Sequence, residues 1–378
     1  MPLLNREELQ KLLALHPSPC LSLFMRTHRH APEADQDPIR FKNLLKEAER
    51  LLADRYVGKE KDALLGPVSA LSTPGFWRER SEGLALFHAP DRTAVYRLPV
   101  PLPDLAVVAD SFHVKPLLRF LQSNRTYYVL VLSQKAVSLW VGTASGVKPV
   151  DLSTLPRSLT EALGIERKEA HRTAWAVGGG GAVYQGRGAP ESTKKDDLLR
   201  FFRAIDQALW QALKEDRSPL FLAGASSSFP IYREVCRYPF LAPGGIEGSF
   251  EAATPEELHQ RAWPVVDKHL RTLEDEAIAD FQRLYDRKLA SDILTEVARA
   301  AVQGRIRRLL LGEGKRLFGR IEKGTGEVTL HGSQQVGPVD DDVLDDLAEL
   351  VLARGGEILV VEQRRMPGDA AAAATFRW

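Results

Sequence analysis

Short apolar segments of strand length recur along the whole chain, and longer amphipathic segments separate them. Four such runs are CLSLFMR at 20–26, YYVLVLS at 127–133, PLFLAGA at 219–225 and RIRRLLLG at 305–312. Continuous apolar runs of this length, bounded by turn residues, are typical of buried strands. Between the first two runs, helical spacing places one apolar stripe on a single face: Phe41, Leu44, Leu45, Ala48, Leu51 and Leu52. Strands that alternate with amphipathic helices predict an α/β fold.

The length of 378 residues suggests two or three domains, because domains commonly hold about 100–200 residues. A proline-rich stretch over 99–121 reads as an extended segment that leaves a first domain. We therefore predict three α/β domains: residues 1–122, residues 123–270 and residues 271–378. The third is expected to open with one long helix over 273–303 and to end with a strand at EILVVEQ, and the alanine run near residue 372 is too short to interpret.

The near-zero net charge excludes attraction of the whole chain to polyanions such as nucleic acid. Lys and Arg number 51 against 50 Asp and Glu, so the formal net charge is only +1 and any nucleic-acid binding must come from local patches. The two cysteines, Cys20 and Cys236, offer neither a disulfide framework nor zinc-ligand spacing. No apolar run approaches the ~20 residues of a membrane span. These features predict a cytoplasmic protein with no membrane partner.

Familiar catalytic motifs are absent from the sequence, and the residues predict no metal and no cofactor. The chain has no phosphate-binding P-loop, no paired Cys-x-x-Cys and no Gly-x-Ser-x-Gly elbow. His28 and His30 would share a face on a strand, but two surface histidines are the simpler interpretation. The acidic run Asp340–Asp342 is better explained by helix capping than by a catalytic carboxylate cluster.

A locally basic stretch runs from Arg305 to Lys323, with seven Lys or Arg against two Glu. Such a patch could contact a phosphate backbone, and it could equally be the solvated face of a β-hairpin. The sequence leaves both interpretations open.

The least ordinary segment is a glycine-rich stretch at 177–190 that leads into a charged amphipathic helix. Six glycines fall within eleven residues: Gly178, Gly179, Gly180, Gly181, Gly186 and Gly188. Each glycine raises the backbone entropy lost on ordering, so such a run suits a mobile backbone or a close approach to a ligand. Gln185 lies within it, and cationic residues surround and follow it: Arg187, Lys194, Lys195, Arg200 and Arg203. The alternative is a surface linker.

The glycine-rich stretch with its Gln, followed by a basic helix in the middle of three α/β domains, resembles the class I release factors of archaea and eukaryotes and their relative Pelota. The chain is more similar to the bacterial archaeo-eukaryotic release factor families. The segments that carry this resemblance are DSFHVKPLLRFLQSNRTYYVLVLS, YQGRG with KKDDLLRFFRAIDQAL, GSFEAATPEELHQRAWPVV and GGEILVVEQRRMPGDAAAAATFRW. The order of the four segments is more specific than any one of them.

The resemblance implies a fold, a partner and a site. The middle domain would be RNase H-like, and the C-terminal domain would be an α/β/α sandwich like small RNA-binding ribosomal proteins. The glycine loop would reach the acceptor end of tRNA on the ribosome, with Gln185 positioning water for peptidyl-tRNA hydrolysis. Val183 and Tyr184 precede Gln185, so the Gly-Gly-Gln triplet of the family is not present. The resemblance thus implies ribosome rescue or hibernation without codon reading, and leaves the hydrolytic activity open.

Two other functions remain compatible with the residues. An RNase H-like fold could support a tRNA- or RNA-cleaving nuclease, for which Asp196, Asp197 and Asp206 are the nearby carboxylates, although helical spacing separates Asp196 from Asp197. The near-zero net charge would suit a non-catalytic, stress-linked protein that binds another protein. The number of copies that assemble is not indicated.

Overall fold

The fold was determined as a computed structural model, and the structure describes residues 4, 6–13, 19–53, 59–164, 191–332 and 342–378. The chain forms two compact units, one made of residues 1–123 together with 273–378 and the other of residues 124–272. Helices and strands alternate throughout, and strands in both units form sheets, which confirms the predicted α/β class.

The N-terminal part of the first unit contains an antiparallel sheet with strand order β3-β2-β1-β4. Its elements are α1 (Arg6–Leu13), β1 (Cys20–Arg26), α2 (Asp37–Ala53), α3 (Lys59–Ala70), β2 (Gly83–Ala89), β3 (Arg92–Leu98), β4 (Leu105–Ala109) and α4 (Lys115–Ser123). β1 is buried on both faces because Leu21 and Leu23 pack towards α2 and α3, whereas Phe24 belongs to a second core on the opposite face. The predicted β1, α2 and β2–β3 hairpin are confirmed.

The second unit is a five-stranded sheet with order β7-β6-β5-β8-β9. Its elements are β5 (Tyr127–Leu132), β6 (Ser138–Thr143), β7 (Gly146–Val150), α5 (Leu159–Leu163), α6 (Glu191–Leu213), β8 (Leu220–Gly224), α7 (Ser228–Val235), β9 (Ile246–Glu247) and the N-terminal part of α8 (Pro255–Tyr285). β5, β6 and β7 are antiparallel, and β8 and β9 are parallel to β5. Alternate residues of β5 and β8 face α6 and α7 on one side and α8 on the other.

The C-terminal part of the first unit is an α/β/α sandwich, as predicted. After the remainder of α8 it contains β10 (Ala290–Ser291), α9 (Leu294–Val302), β11 (Ile306–Gly312), β12 (Gly319–Ile321), β13 (Val328–Leu330), α10 (Val343–Ala353), β14 (Glu357–Val361) and β15 (Ala372–Phe376). The main sheet has order β10-β15-β11-β14. Leu309 and Leu311 pack on the side of α9 and α10, whereas Leu310 packs with Phe281 of α8.

The N- and C-terminal parts of the first unit share one hydrophobic core, and α4 makes polar contacts with both α10 and β14. The carboxylate of Asp345 at the start of α10 accepts hydrogen bonds from the backbone N–H groups of Val114 (2.9 Å) and Lys115 (2.6 Å). The side-chain amide of Gln122 donates to the carbonyl of Val360 (3.0 Å) and accepts from the Val360 N–H (2.7 Å). Gln122 therefore pairs with edge strand β14 as a neighbouring strand would. The predicted three-domain division stays a prediction.

Two expectations from the sequence are wrong, and one segment left uninterpreted now has a structure. The proline-rich stretch 99–121 is not an extended connection, because β4 pairs with β1 inside the first sheet and α4 follows it. The helix expected over 273–303 is instead the end of α8, a turn that includes β10, and α9. The alanine run forms β15, which lies between β10 and β11.

Candidate functional site

The predicted glycine segment connects α5, which ends at Leu163, to α6, which begins at Glu191. Eight of the predicted site residues lie outside the described residues, namely Gly178, Gly179, Gly180, Gly181, Gln185, Gly186, Arg187 and Gly188. The Lys194 side chain is outside them as well. Their roles stay predictions, and the site is built from the helix that follows.

The buried face of α6 fixes the orientation of this helix on the sheet. Phe201, Phe202, Ile205 and Leu209 are each at most 2% exposed and pack on β5, β6 and β8. The Phe202 ring meets the Tyr232 ring of α7 edge-on at 5.5 Å between centroids. This is the apolar stripe expected from the sequence, and its burial turns the opposite, polar face of α6 to solvent.

Arg200 and Arg203 are exposed neighbours on the outward face of α6. They are three residues apart, so their side chains leave the helix about 60° apart. Lys195 is also exposed, but the same geometry puts it about 140° around the helix from Arg200. The structure thus brings two of the predicted cationic residues together and separates the third from Arg200.

An ion pair between Asp206 and Arg237, which the sequence did not indicate, connects α6 to the end of α7. The Asp206 carboxylate accepts hydrogen bonds from the Arg237 backbone N–H at 2.9 Å and from Arg237 Nε at 2.6 Å. The Asp206 side chain is 4% exposed, whereas that of Arg237 is 54% exposed. The guanidinium carbon of Arg237 lies 5.8 Å from the centroid of the Trp210 ring.

These groups line an open cleft of about 580 Å³ on the surface of the second unit. Its lining comes from α6, from the end of α7 and from Arg237 just after it: Arg203, Asp206, Gln207, Trp210, Gln211, Glu234, Val235 and Arg237. Two of them were singled out in the sequence: Arg203 for RNA binding and Asp206 for the nuclease alternative. Gln207 and Trp210 follow Arg203 at helical spacing and were detectable from the sequence, but the contribution of Arg237 depends on a contact across 31 residues and had no local signal.

The hydroxyl and thiol groups behind this cleft are held in their neutral forms. Burial raises the pKa of the Tyr232 hydroxyl well above its ordinary value, and burial also raises the pKa of the Cys236 thiol. Burial, with the nearby Asp216 charge, raises the pKa of Tyr238 to about 12. A thiol of raised pKa is a poor nucleophile at neutral pH. The described part of this face is therefore suited to binding through arginine, amide and indole groups.

The other residues singled out in the sequence have structural roles. His28 Nδ1 lies 2.8 Å from an Asp37 carboxylate oxygen, and His30 is exposed. Asp342 caps α10 by accepting from the Leu344 N–H at 3.2 Å, and Asp340 and Asp341 lie outside the described residues. Among residues 4, 6–13, 19–53, 59–164, 191–332 and 342–378, no group of three or more His, Cys, Asp or Glu is placed to hold a metal ion.

The basic stretch Arg305–Lys323 is not one surface. The seven residues of β11 span about 20 Å, so Arg305 at its start is far from Lys315 beyond its end. Arg308 pairs with Glu357 at 2.9 Å, and Arg316 lies over the Phe318 ring at 4.8 Å. The two ends of β11 must therefore be considered separately.

Residues 126–305 match the sequence model of bacterial archaeo-eukaryotic release factor family 3. This range covers nearly the whole second unit, including α6 and the glycine segment, and continues through α9. No curated protein sequence matches the chain. Among helices that the structure describes, none combines the length and apolar character needed to cross a bilayer.

Solved structures of translation factors resemble the fold at low sequence identity. The archaeal translation termination factor aRF1 is 13% identical, with 99% of each chain covered and a TM-score of 0.26. Archaeoglobus fulgidus Pelota is 16% identical, with 78% of this chain and 79% of that chain covered and a TM-score of 0.30. Dom34 of S. cerevisiae, described as a translation termination-like factor that interacts with Hbs1, is 12% identical over 99% and 93% of the chains, with a TM-score of 0.40.

Over residues 126–305, just under half of its length, the chain is similar to bacterial archaeo-eukaryotic release factor family 3. This confirms the resemblance deduced from the sequence segments.

Proposed function

We propose that this protein is a cytoplasmic, ribosome-associated factor of release-factor-like architecture that acts in ribosome rescue or hibernation. The observation that carries the proposal is the match of residues 126–305 to a release-factor family, over the same range that holds the glycine segment and α6. The strand order of the second unit supports it, because three antiparallel strands followed by two strands parallel to the first are the arrangement of an RNase H-like sheet.

The outward face of α6 would contact RNA phosphates. Arg200 and Arg203 are exposed, and guanidinium groups bind phosphate oxygens through two parallel hydrogen bonds. The ion pair between Asp206 and Arg237 holds this helix in place from the side of α7. The glycine segment lies immediately before α6 in the chain, so a helix anchored on RNA would keep the segment 178–188 close to the same RNA.

Gln185 would act at the acceptor end of tRNA. Gln has no ionisable group, so its contribution would be to position water against the peptidyl ester and to supply oriented dipoles. Val183 and Tyr184 before Gln185 are bulkier than the glycines of the family triplet. The proposal therefore has two versions, one with hydrolysis and one with binding alone.

The nuclease alternative has no comparable support. Asp206 is buried and its carboxylate is engaged by Arg237, so it is not free to bind a metal ion. Asp196 is exposed at the start of α6, whereas Asp197 is half-buried. The described carboxylates of α6 do not converge.

The test is cosedimentation with stalled bacterial ribosomes at low salt, combined with a peptidyl-tRNA release assay. We expect the wild-type chain to cosediment and the double variant Arg200→Gln/Arg203→Gln to bind at least about tenfold more weakly, because two phosphate contacts are lost. A matched control, Lys268→Gln/Arg271→Gln, removes the same charge from exposed positions on α8 and should bind normally.

The release assay separates the two versions. Peptide release that Gln185→Ala abolishes, with binding unchanged, would support hydrolysis by the segment. Ribosome binding without release would leave the hibernation version. Absence of cosedimentation by the wild-type chain would contradict both, and recovery of a protein partner without RNA would favour the interaction-module alternative.

A further inference from the structure

A cluster of arginines lies at one end of the α/β/α sandwich, where α9 and α10 end, β11 begins and β15 ends. We define this arginine end by Arg299, Arg305, Arg354 and Arg377, together with Trp378. The members are brought together by tertiary structure, because 72 residues separate Arg305 from Arg377 in the chain. It is distinct from the face of α6, which belongs to the other unit.

Backbone hydrogen bonds connect three of these arginines. The Arg377 N–H donates to the Arg305 carbonyl at 2.8 Å, and the Arg377 guanidinium donates to the Arg354 carbonyl at 2.9 Å. The Arg305 guanidinium donates to the backbone oxygen of Trp378 at 2.8 Å, and its carbon lies 5.4 Å from the Phe376 ring centroid. The guanidinium groups of Arg305 and Arg377 are thus held by the fold, which lowers the entropy lost when they bind a ligand.

In the described part of the chain, no acidic side chain forms an ion pair with the arginine end. Within the described part of the chain, none of its four arginines has an Asp or Glu carboxylate within 4.0 Å, whereas Arg307, Arg308 and Arg364 elsewhere in the sandwich do. Glu357, which begins β14 three residues after Arg354, is already paired with Arg308. Arg305 Nε is buried and has no hydrogen-bond partner. Several guanidinium groups without a counterion favour a polyanionic ligand.

An aromatic ring completes the surface. Trp378 is 66% exposed, more than any other large hydrophobic residue that the structure describes, and its backbone oxygen accepts a hydrogen bond from Arg305. Indole rings stack on unpaired bases, and arginines beside them bind the phosphates that connect those bases. A base-paired duplex hides its base faces, so this combination suits a single strand.

We propose that the arginine end binds single-stranded RNA, with its arginines on successive phosphates and Trp378 stacked on a base. This is an RNA contact beyond the one proposed for α6, and it does not require that the α6 proposal be correct. A purely structural role is the main competitor, because arginines near the C-terminal ends of α9 and α10 also complement the helix dipoles.

The experiment measures the affinity of the full chain for a fluorescein-labelled 12-nucleotide oligouridine by anisotropy, without ribosomes, between 50 and 200 mM salt. The variants are Arg354→Gln/Arg377→Gln and Trp378→Ala. The control Lys46→Gln/Arg50→Gln removes two exposed charges from α2 in the same unit. Thermal melts of every variant verify folding.

We expect Arg354→Gln/Arg377→Gln to bind about tenfold more weakly than the control. Its plot of log affinity against log salt should be less steep by about 1.4, or about 0.7 for each lost phosphate contact on a single strand. Trp378→Ala should bind at least about fivefold more weakly, since stacking contributes about 1 kcal/mol or more per base. A 12-base-pair RNA duplex should show no effect of Trp378→Ala.

The proposal is overturned if both variants bind oligouridine as tightly as the control, whether or not their melting temperatures fall. A fall in melting temperature alone would assign the arginines to helix-dipole complementation. Binding of the wild-type chain to phosphatidylserine vesicles without binding to oligouridine would also overturn it, in favour of a membrane surface. The double variant Arg200→Gln/Arg203→Gln, assayed in parallel, separates this outcome from a failure at α6.

Discussion

At the scale of single residues, Asp206 is the described side chain that most directly supports the candidate site. It lies on α6 between Arg203 and Trp210, and it joins α6 to the end of α7 through Arg237. The carboxylate is buried, so its partners must replace the hydrogen bonds that water would supply. The nuclease alternative used Asp206 as a metal ligand. Only the tertiary structure shows that the Asp206 carboxylate already accepts hydrogen bonds from Arg237.

Asp206→Ala should destabilise the second unit by about 1–2 kcal/mol, because two hydrogen bonds to a buried carboxylate are lost and the exposure of Arg237 weakens the ion pair. Asp206→Asn keeps an acceptor for the Arg237 N–H and should cost less than Asp206→Ala. Urea denaturation followed by circular dichroism measures both. Equal stabilities of the wild type and Asp206→Ala would show that the ion pair does not hold α6 in place.

His88 gives the first unit a pH dependence of defined sign. It is buried in β2, with Nδ1 2.8 Å from Thr93 Oγ1, and burial lowers its pKa below the ordinary value of 6.5. Between the folded and unfolded pKa values the unfolded chain binds more protons, so stability rises with pH in that range. The stability that neutral, buried His88 contributes is fully present above about pH 6.5. It is lost as the pH falls through the pKa that His88 has in the folded state.

The check is the difference in unfolding free energy between the wild type and His88→Gln from pH 8 to pH 5. We expect this difference to be constant above about pH 7 and to shift against the wild type at lower pH. Comparison with His88→Gln removes the contributions of other titrating groups. A difference that does not change with pH would show that His88 titrates alike in the folded and unfolded states.

At the scale of elements, the sequence predicted those strands and helices whose pattern is local. β1, β5 and β8 are mostly apolar runs, β11 contains the apolar run Leu309–Leu311, and α2 and α6 have clear apolar stripes, so the local pattern was sufficient for them. The start of α8 also had a local signal that was overlooked: Thr254 and Glu257 form a capping box around Pro255, with the Thr254 hydroxyl accepting from the Glu257 N–H at 3.2 Å.

β15 shows why the rest could not be read from the sequence. Its alanines are good helix formers, yet they form a strand because β11 and β10 supply backbone partners on both sides. Ala372, Ala373 and Ala374 are at most 2% exposed. Small side chains there let α8 and α9 pack closely on the two faces of the sheet, and this requirement is visible only in the folded protein.

Ala373→Leu should therefore destabilise the first unit by about 1–3 kcal/mol through overpacking. Ala353→Leu places the same side chain at the exposed end of α10 and should change stability by less than about 0.5 kcal/mol. Thermal melts of the two variants make the comparison. Similar melting temperatures for both would contradict the close packing of β15.

At the scale of the whole molecule, the hydrophobic cores follow the two units. Each of the five clusters of buried apolar residues draws its described members from one unit alone. The largest cluster combines the N-terminal sheet with the C-terminal sandwich, and Asp345 and Gln122 add polar bonds across the same junction. Residues so far apart in the chain give no sequence signal for this association.

Units with separate cores should unfold separately. We expect scanning calorimetry to resolve two unfolding transitions. Asp206→Ala should lower the midpoint temperature of only the transition that belongs to residues 124–272. Ala373→Leu should lower the midpoint temperature of only the other transition. A single transition shifted by both substitutions would show that the two units unfold cooperatively.

The central claim is that the face of α6 and the preceding glycine segment bring this chain to the ribosome. Its most direct measurement is the amount of protein that cosediments with stalled ribosomes at low salt, for the wild type, Arg200→Gln/Arg203→Gln and the charge-matched control Lys268→Gln/Arg271→Gln. We expect the wild type and the control to bind and the α6 variant to bind at least about tenfold more weakly. A wild-type chain that remains in the supernatant, or an α6 variant that binds like the control, would contradict it.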